Sequence, residues 1–129
     1  MSKIKQKPSE AELEILQELW DKQGLTVSEI HQKLEARKQV GYTTTLKQMQ
    51  RMHDKGMLSR RKEGKLFIYF SELDDQLVKN SIFSKLSETL FKGSAKDMMM
   101  HLLGNEETTQ EELKELKQWI EEKERGGSK

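Results

Sequence analysis

The stretch Gly41–Tyr69, GYTTTLKQMQRMHDKGMLSRRKEGKLFIY, contains the clearest structural pattern in the chain. Its first part predicts a helix with a polar outer face that ends at Lys55, with the following glycine as its C-terminal cap. A basic strand, a Glu63-Gly64 turn and the apolar strand Leu66–Phe70 come next. The stretch therefore predicts a helix followed by a two-stranded hairpin.

Positive charge is concentrated in this part of the chain. The 129 residues carry 23 Lys and Arg against 22 Asp and Glu, a formal net charge of +1. Between Lys38 and Lys65, however, eight basic residues stand against two acidic ones. Residues 1–72 have a net charge of +4 and residues 73–129 a net charge of −3. This division indicates a nucleic-acid module joined to an interaction module, with an ordinary solvated surface as the alternative.

Two further helices are predicted before this stretch. Ser9 with Glu12, and Thr26 with Glu29, form capping boxes, and apolar residues at helical spacing follow each of them. Two capped helices, a third helix and a basic hairpin are the layout of a winged helix-turn-helix domain, which binds DNA. We therefore predict a mostly α fold (α+β), with a winged-helix domain over residues 1–72 and a helical dimerisation domain over residues 73–129.

The side chains of the third helix divide into two faces at about 100° per residue. Thr45, Met49 and Met52 share the face that is predicted to pack on the first two helices. Leu46 and Gln48 fall on the two boundaries, and the helical wheel leaves both open. Side chains suited to phosphates or base edges lie on the other face or at the helix start, namely Thr43, Thr44, Lys47, Gln50 and Arg51. An ordinary solvated helix face is the alternative.

The hairpin carries four basic residues on either side of its turn, Arg60, Arg61, Lys62 and Lys65. We expect them to hold DNA phosphates beside the groove, which supplies affinity but reads no sequence. The alternative is a charged, exposed hairpin that resists pairing at its edges.

Residues from Leu73 onward have helical spacing. A long helix ends at Gly93, a methionine-rich helix spans Ser94–Leu103, and Thr108 with Glu111 predicts a capping box for a last helix. Because apolar residues make up only 33% of the chain, each half has little core of its own, and we expect a second copy to bury more apolar surface. The predicted homodimer interface consists of Leu77, Phe83, Leu86, Leu90, Met99, Leu102, Leu113, Leu116 and Ile120.

Several classes of function have no support in the sequence. The chain has no cysteine, which removes disulfides, thiol catalysis and thiolate metal sites. His31, His53 and His101 are far apart, and no nucleophile is paired with a base, so we predict no metal, no cofactor and no catalytic residues. The first ten residues lack the apolar core of a signal peptide, and no later run approaches a membrane span. We therefore expect a cytoplasmic protein that is not an enzyme and has no membrane partner.

Four motifs together resemble the BlaI/MecI penicillinase-repressor family. They are E-L-x-I-L-x-x-L-W from Glu12, Y-T-T from Tyr42, K-G-M-L from Lys55 and E-E-L-x-E-L from Glu111, and the resemblance extends from about Pro8 to Glu122. It implies a homodimeric winged-helix repressor that binds double-stranded DNA at a palindromic operator. In the family, the helix that begins at the Y-T-T motif enters the major groove. By position, this places Thr43, Thr44, Leu46, Lys47 and Arg51 at the DNA and turns Gln48 inward. The predicted DNA-binding residues also include Tyr42, the first residue of the motif.

The resemblance also bears on regulation. The β-lactam-responsive members are inactivated by a membrane sensor-protease that cuts an Asn-Phe bond, and His101-Leu102 stands at the matching positions here. A sensor-protease is thus a candidate partner, but the family's cleavage bond is missing. Copper-responsive members carry a C-terminal cysteine cluster, which this chain lacks. The alternatives are a winged-helix protein-interaction adaptor and a DNA-binding sensor of a ligand or metal that uses the Met98–Leu103 helix or the histidines.

Overall fold

A computed structural model describes residues 7–105 and 107–126. Residues 1–6, on which the expectation about a signal peptide partly rests, lie outside the described residues, as do residues 106 and 127–129. The described chain forms six helices and one two-stranded antiparallel sheet, which confirms the predicted mostly α fold with a small sheet. It divides into two compact units, Met1–Ser81 and Ile82–Lys129.

The first unit begins with three helices, α1 (Glu10–Asp21), α2 (Val27–Glu35) and α3 (Tyr42–Asp54). Both predicted capping boxes are present. The Ser9 hydroxyl accepts from the Glu12 amide at 3.2 Å while the Glu12 carboxylate accepts from the Ser9 amide at 2.8 Å. Thr26 and Glu29 make the same pair of bonds at 3.1 and 2.9 Å. Two amides that α1 and α2 would each leave without a partner are thereby satisfied, which fixes where these helices start.

The hairpin consists of β1 (Leu58–Glu63) and β2 (Leu66–Ser71). Leu58 pairs with Ser71 at one end and Glu63 pairs with Leu66 at the other. The turn is therefore Gly64-Lys65, one residue later than the predicted Glu63-Gly64 turn, because Glu63 is still part of the ladder. Gly64 has φ +63°, in the left-handed region that glycine adopts without steric cost.

The core of the first unit lies between these helices and the base of the hairpin. Thr45, Met49 and Met52 are all buried, which confirms the inner face predicted for α3. Tyr69 of β2 is also buried, and its amide donates to the Leu25 carbonyl at 2.8 Å. This bridge joins the segment between α1 and α2 to the hairpin, so that α3 and the hairpin are both attached to the same core.

Helix α4 (Asp75–Phe91) contains residues of both units and is followed by α5 (Ala95–Leu103) and α6 (Gln110–Gly126) in the second unit. As predicted, α4 ends before Gly93, which has φ +85°. The predicted Thr108–Glu111 capping box is wrong. Thr109 and Glu112 form the box instead, with both bonds at 3.1 Å. Thr108 is used differently, because its hydroxyl donates to the Leu102 carbonyl at 3.3 Å and closes the loop after α5.

The second unit keeps much of its apolar surface in solvent. No side chain of α5 or α6 is fully buried within residues 95–103 and 110–126. Large apolar side chains are exposed instead, and those of Leu90, Met100, Leu102 and Trp119 are each more than half exposed. In the described part of the chain, no helix is long and apolar enough to cross a membrane.

Candidate nucleic-acid interface

The start of α3 is the first component of the candidate site. Its N-cap residue is Gly41, which has no side chain to accept a hydrogen bond from the first turn. Tyr42, Thr43 and Thr44 are all exposed, so two hydroxyls lie beside the amides of that turn. Free amides at a helix start carry partial positive charge and bind phosphate oxygens. The first turn of α3 can therefore accept a phosphate group.

The outer face of α3 is the second component. Thr43, Lys47, Gln50 and Arg51 are exposed, as the helical wheel predicts. The Arg51 guanidinium donates to the Gln48 side-chain oxygen at 3.2 Å through one of its N–H groups, and this bond does not use the others. These side chains have the length and the donors needed to reach base edges or phosphates.

Leu46 and Gln48 differ from the outward and inward positions that the family resemblance implies. Both are half-buried, and Leu46 packs against the core cluster of the first unit. The physical reason is that both residues lie at the edge of the inner face, where a side chain is only partly covered. Leu46 is thus at the border of the candidate interface, and contact with DNA stays a prediction.

Three cations near α3 are held by acidic residues of α1. Lys38 contacts Glu14 at 2.7 Å, Arg37 contacts Glu18 at 3.0 Å, and Lys55 contacts the buried Glu12 at 2.7 Å. These pairs stabilise the packing of α1 against the loop after α2 and against the end of α3. The basic residues of α3 that remain for a ligand within the described chain are therefore Lys47 and Arg51.

The Glu12 carboxylate has a perturbed pKa. Burial by itself raises the pKa, but the hydrogen bonds from Lys55 and Ser9 and the charge of Lys55 outweigh it. The pKa of Glu12 therefore lies below its ordinary value of 4.5. Glu12 is consequently ionised at neutral pH and fastens the C-terminal end of α3 to α1.

The hairpin is the third component, and its four basic side chains differ in their partners. The Arg61 guanidinium makes two bonds to the Glu63 carboxylate, at 2.6 and 3.0 Å. The Arg60 guanidinium lies 4.2 Å from the centre of the Phe67 ring and donates to the Tyr69 hydroxyl at 3.3 Å. Lys62 and Lys65 are exposed and make no ion pair with the described residues. Arg60, Lys62 and Lys65 are therefore the hairpin cations without an acidic partner there.

His31, which the sequence brings forward only as a possible metal or ligand residue, contacts the start of α3. Its side chain is 12% exposed and lies between α2 and the start of α3. The Nδ1 atom is 3.2 Å from the Thr45 hydroxyl, and the ring meets the Tyr42 ring edge-on with centroids 5.6 Å apart. A contact between two helices leaves no periodic signal in the sequence, so only a three-dimensional structure could find it.

The predicted interface residues of the second half are largely accessible. Leu77, which falls in the first unit, is 42% exposed, while Phe83 is 52% and Ile120 is 40% exposed. Leu113 is half-buried. Within the second unit, α5 and α6 enclose an open groove of about 890 Å³ with an apolar lining that includes Met99, Leu102, Leu116 and Trp119. An apolar surface of this kind on a charged chain is typical of a protein–protein contact.

The chain is similar to proteins of one repressor family. The sequence model of the family described as "Penicillinase repressor" matches residues 8–122. The "Penicillinase repressor" of Bacillus licheniformis is 28% identical over 122 residues, covering 95% of this chain and 94% of that one. The "Methicillin resistance regulatory protein MecI" of Staphylococcus aureus strain N315 is 24% identical over 115 residues, covering 89% and 94%. A solved MarR family protein from Bacillus stearothermophilus aligns with 87% of this chain and 74% of that one at 19% identity, with a TM-score of 0.48.

Proposed function

This chain belongs to the penicillinase repressor family, and on that premise we propose that it represses transcription as a homodimer bound to a palindromic DNA operator. One observation carries the proposal. The exposed face of α3 presents Lys47 and Arg51 without acidic partners in the described chain, beside an N-terminal turn that no side chain caps. Lys38 and Lys55, which flank α3, contact carboxylates of α1, so Lys47 and Arg51 are the basic residues of α3 that remain for DNA in the described chain.

In the proposed complex, α3 lies in the major groove. The first turn, with Tyr42, Thr43 and Thr44, binds a phosphate and sets the depth of the helix. Lys47, Gln50 and Arg51 then reach base edges or neighbouring phosphates, because bidentate donors distinguish guanine and adenine in this groove. Leu46 contributes an apolar contact from the border of the surface, for which a thymine methyl is a suitable partner.

The hairpin is proposed to hold the DNA backbone beside the groove. Arg60, Lys62 and Lys65 supply cations for phosphates, and Arg61 does so only if its ion pair with Glu63 opens. Such contacts add affinity that does not depend on base sequence and that falls as salt concentration rises.

The apolar residues of the second half are proposed to form the dimer contact. Phe83, Leu86, Leu90, Met99, Leu102, Leu113, Leu116 and Ile120 of two copies would bury one another, together with Leu77. A two-fold dimer then presents two α3 helices to half-sites about 10 bp, or a multiple of that distance, apart. A dimer at a promoter would exclude the polymerase sterically, and such a protein would act where the DNA is, in the cytoplasm.

The family resemblance also implies a sensor-protease as a candidate partner. His101 and Leu102 are exposed but lie inside α5, and a protease that binds an extended segment must first unwind this helix. We propose that this chain resists a family sensor-protease because the Asn-Phe bond is missing. Coexpression with such a protease should leave the parent chain intact and cut a His101→Asn, Leu102→Phe variant. Cleavage of the parent at His101-Leu102 would contradict this proposal.

The proposed operator can be tested by selecting bound duplexes from a random DNA library with the full chain. The expected result is enrichment of an inverted repeat with half-sites one or more helical turns apart. Recovery of a single, non-repeated site would contradict the homodimer, and recovery of no preferred sequence would contradict the proposed function itself. A Lys47→Ala, Arg51→Ala double variant is the matched control, and it should enrich nothing.

A further inference from the structure

The first three helices of the chain begin in two different ways. Helices α1 and α2 each start with a capping box that fixes their first turn locally. Helix α3 starts at Gly41 and has no side-chain cap, which leaves its first amides free. A glycine N-cap gives the first turn no side-chain hydrogen bond that would hold it in place. The part of α3 with the most exposed phosphate-binding groups is therefore the helix start with the least local support.

A side chain from another helix supplies a contact at that start. His31 of α2 lies with its Nδ1 atom 3.2 Å from the hydroxyl of Thr45, which is 2% exposed. The Thr45 amide donates to the Gly41 carbonyl at 3.2 Å, and the Thr45 hydroxyl lies 3.5 Å from the same oxygen. The His31 ring also contacts the Tyr42 ring edge-on, at an interplanar angle of 82°. One imidazole thus contacts two residues of the first turn of α3, through Thr45 and Tyr42.

The hydrogen bond between His31 and Thr45 can form whether the imidazole is neutral or charged. In the neutral ring, the Thr45 hydroxyl donates to Nδ1, and the Nε2–H faces the Glu35 carboxylate at 3.4 Å. In the charged ring, Nδ1–H donates to the Thr45 hydroxyl, whose own proton turns to the Gly41 carbonyl. Either form of the ring therefore allows this hydrogen bond.

We propose that His31 is a positioning residue for DNA binding. By tying the first turn of α3 to α2, it holds Tyr42, Thr43 and Thr44 at a fixed place while leaving their amides free for a phosphate. A local cap would hold the turn but would occupy one of these amides. This inference rests on the proposed function, because the phosphate it serves belongs to the DNA.

The test compares two substitutions that differ in where they place an amide nitrogen. In His31→Asn, the side-chain nitrogen occupies the position of Nδ1 and can still bond Thr45. In His31→Gln, it occupies the position of Nε2 and cannot. Binding of the full chain to a duplex from its own upstream region, measured by fluorescence anisotropy, should stay within about twofold of the parent for His31→Asn. It should weaken about five- to tenfold for His31→Gln, as expected for one lost hydrogen bond.

Thr45→Val and the double variant His31→Gln, Thr45→Val complete a double-mutant cycle. Thr45→Val should weaken binding about as much as His31→Gln, and the double variant should be no weaker than either single variant. Glu35→Gln is the matched control on the other side of the ring, and its effect should be under twofold. Additive losses in the cycle would overturn the proposed hydrogen bond.

Amide hydrogen exchange of the DNA-free chain separates positioning from general stability. His31→Gln should raise exchange of the Thr45 amide, which donates to the Gly41 carbonyl, while the melting temperature and exchange in α1 stay near those of the parent, and His31→Asn should not raise it. If the parent binds DNA and His31→Gln binds equally well, this inference alone is overturned. If the parent does not bind any duplex in preference to a scrambled one, the proposed function is overturned with it.

Discussion

At the residue scale, the surface of α3 is defined as much by the cations that are neutralised as by those that remain. Lys38 and Lys55 belong to the basic stretch of the sequence but contact carboxylates of α1 at 2.7 Å. Lys47 and Arg51 are exposed and have no such partner among the described residues. A count of basic residues overstates the charge available to a ligand, and the ion pairs decide which residues carry it.

Alanine at Lys47 or Arg51 should weaken binding to the selected operator by roughly tenfold and leave the dimer intact. If either residue contacts a phosphate, its loss should also lower the slope of log affinity against log salt by about one unit. Lys22→Ala is a suitable control, because Lys22 is exposed in the same unit but outside the proposed surface. Parent-like binding by both variants would show that another face of the domain meets the DNA.

Glu12 should make the fold sensitive to acid. Its pKa in the folded chain is below 4.5, so its contribution to stability is complete above about pH 4.5 and is lost as pH falls through the folded value. We expect Glu12→Gln to lower the free energy of unfolding by about 1 kcal/mol at neutral pH, a modest value because water screens the half-exposed Lys55. Denaturant unfolding should show this difference shrinking at pH 3.

Glu14→Gln is the control for that measurement. The Glu14 side chain is 27% exposed, against 5% for Glu12, and ion pairs that are more exposed contribute less. A Glu12→Gln difference that stayed constant or grew between pH 7 and pH 3 would contradict the proposed role of the Glu12 carboxylate.

At the element scale, the start of α6 offers a test of neighbouring threonines. Thr109→Ala removes the N-cap and should cost about 1 kcal/mol, whereas Thr108→Ala removes one bond to a carbonyl and should cost about half of that. Thermal unfolding followed by circular dichroism measures both, and Thr109→Ser should restore the parent value. A larger loss in Thr108→Ala would mean that the helix begins one residue earlier.

The same elements show how far the sequence could predict the fold. Ser9 and Thr26 were identified as caps because each has one glutamate three residues on, followed by an apolar helical pattern. Thr108 and Thr109 each have a glutamate at that spacing, so the local pattern could not choose between them. The hairpin turn was placed one residue early because the extent of the ladder depends on pairing between strands. Local sequence signals therefore predict which helices and strands form better than they predict where these elements begin and end.

The candidate site was predictable to a similar extent. The exposed positions of Thr43, Lys47, Gln50 and Arg51 follow from the helical period and an inner face that buries Met49. Leu46 could not be placed, because a boundary residue is decided by what the neighbouring helices leave uncovered. The contact between His31 and Thr45 joins two helices, and no periodicity in one chain segment encodes it.

At the scale of the whole molecule, the second half is expected to be stable only when its apolar surface is shared. Leu116, which is 39% exposed, lies at the predicted interface on α6. Leu116→Asp should dissociate the dimer, because a buried unpaired charge is costly, and should weaken operator binding by more than tenfold through loss of the second half-site contact. Sedimentation velocity and anisotropy measure the two effects.

Gln118→Asp provides the matched control for this prediction. It places the same charge on α6 about 200° around the helix from Leu116, on an exposed residue outside the predicted interface. The control should remain dimeric. An unchanged dimer in Leu116→Asp would exclude this part of α6 from the interface.

The central claim is that two copies of this chain bind one operator duplex through their α3 helices. The most direct measurement is fluorescence anisotropy of the full chain with the selected duplex and with a scrambled duplex, titrated to stoichiometry and repeated across a salt series. The account predicts two chains per duplex and a preference for the operator, with affinity that falls steeply as salt rises. Equal affinity for both duplexes, or binding that salt does not change, would contradict it.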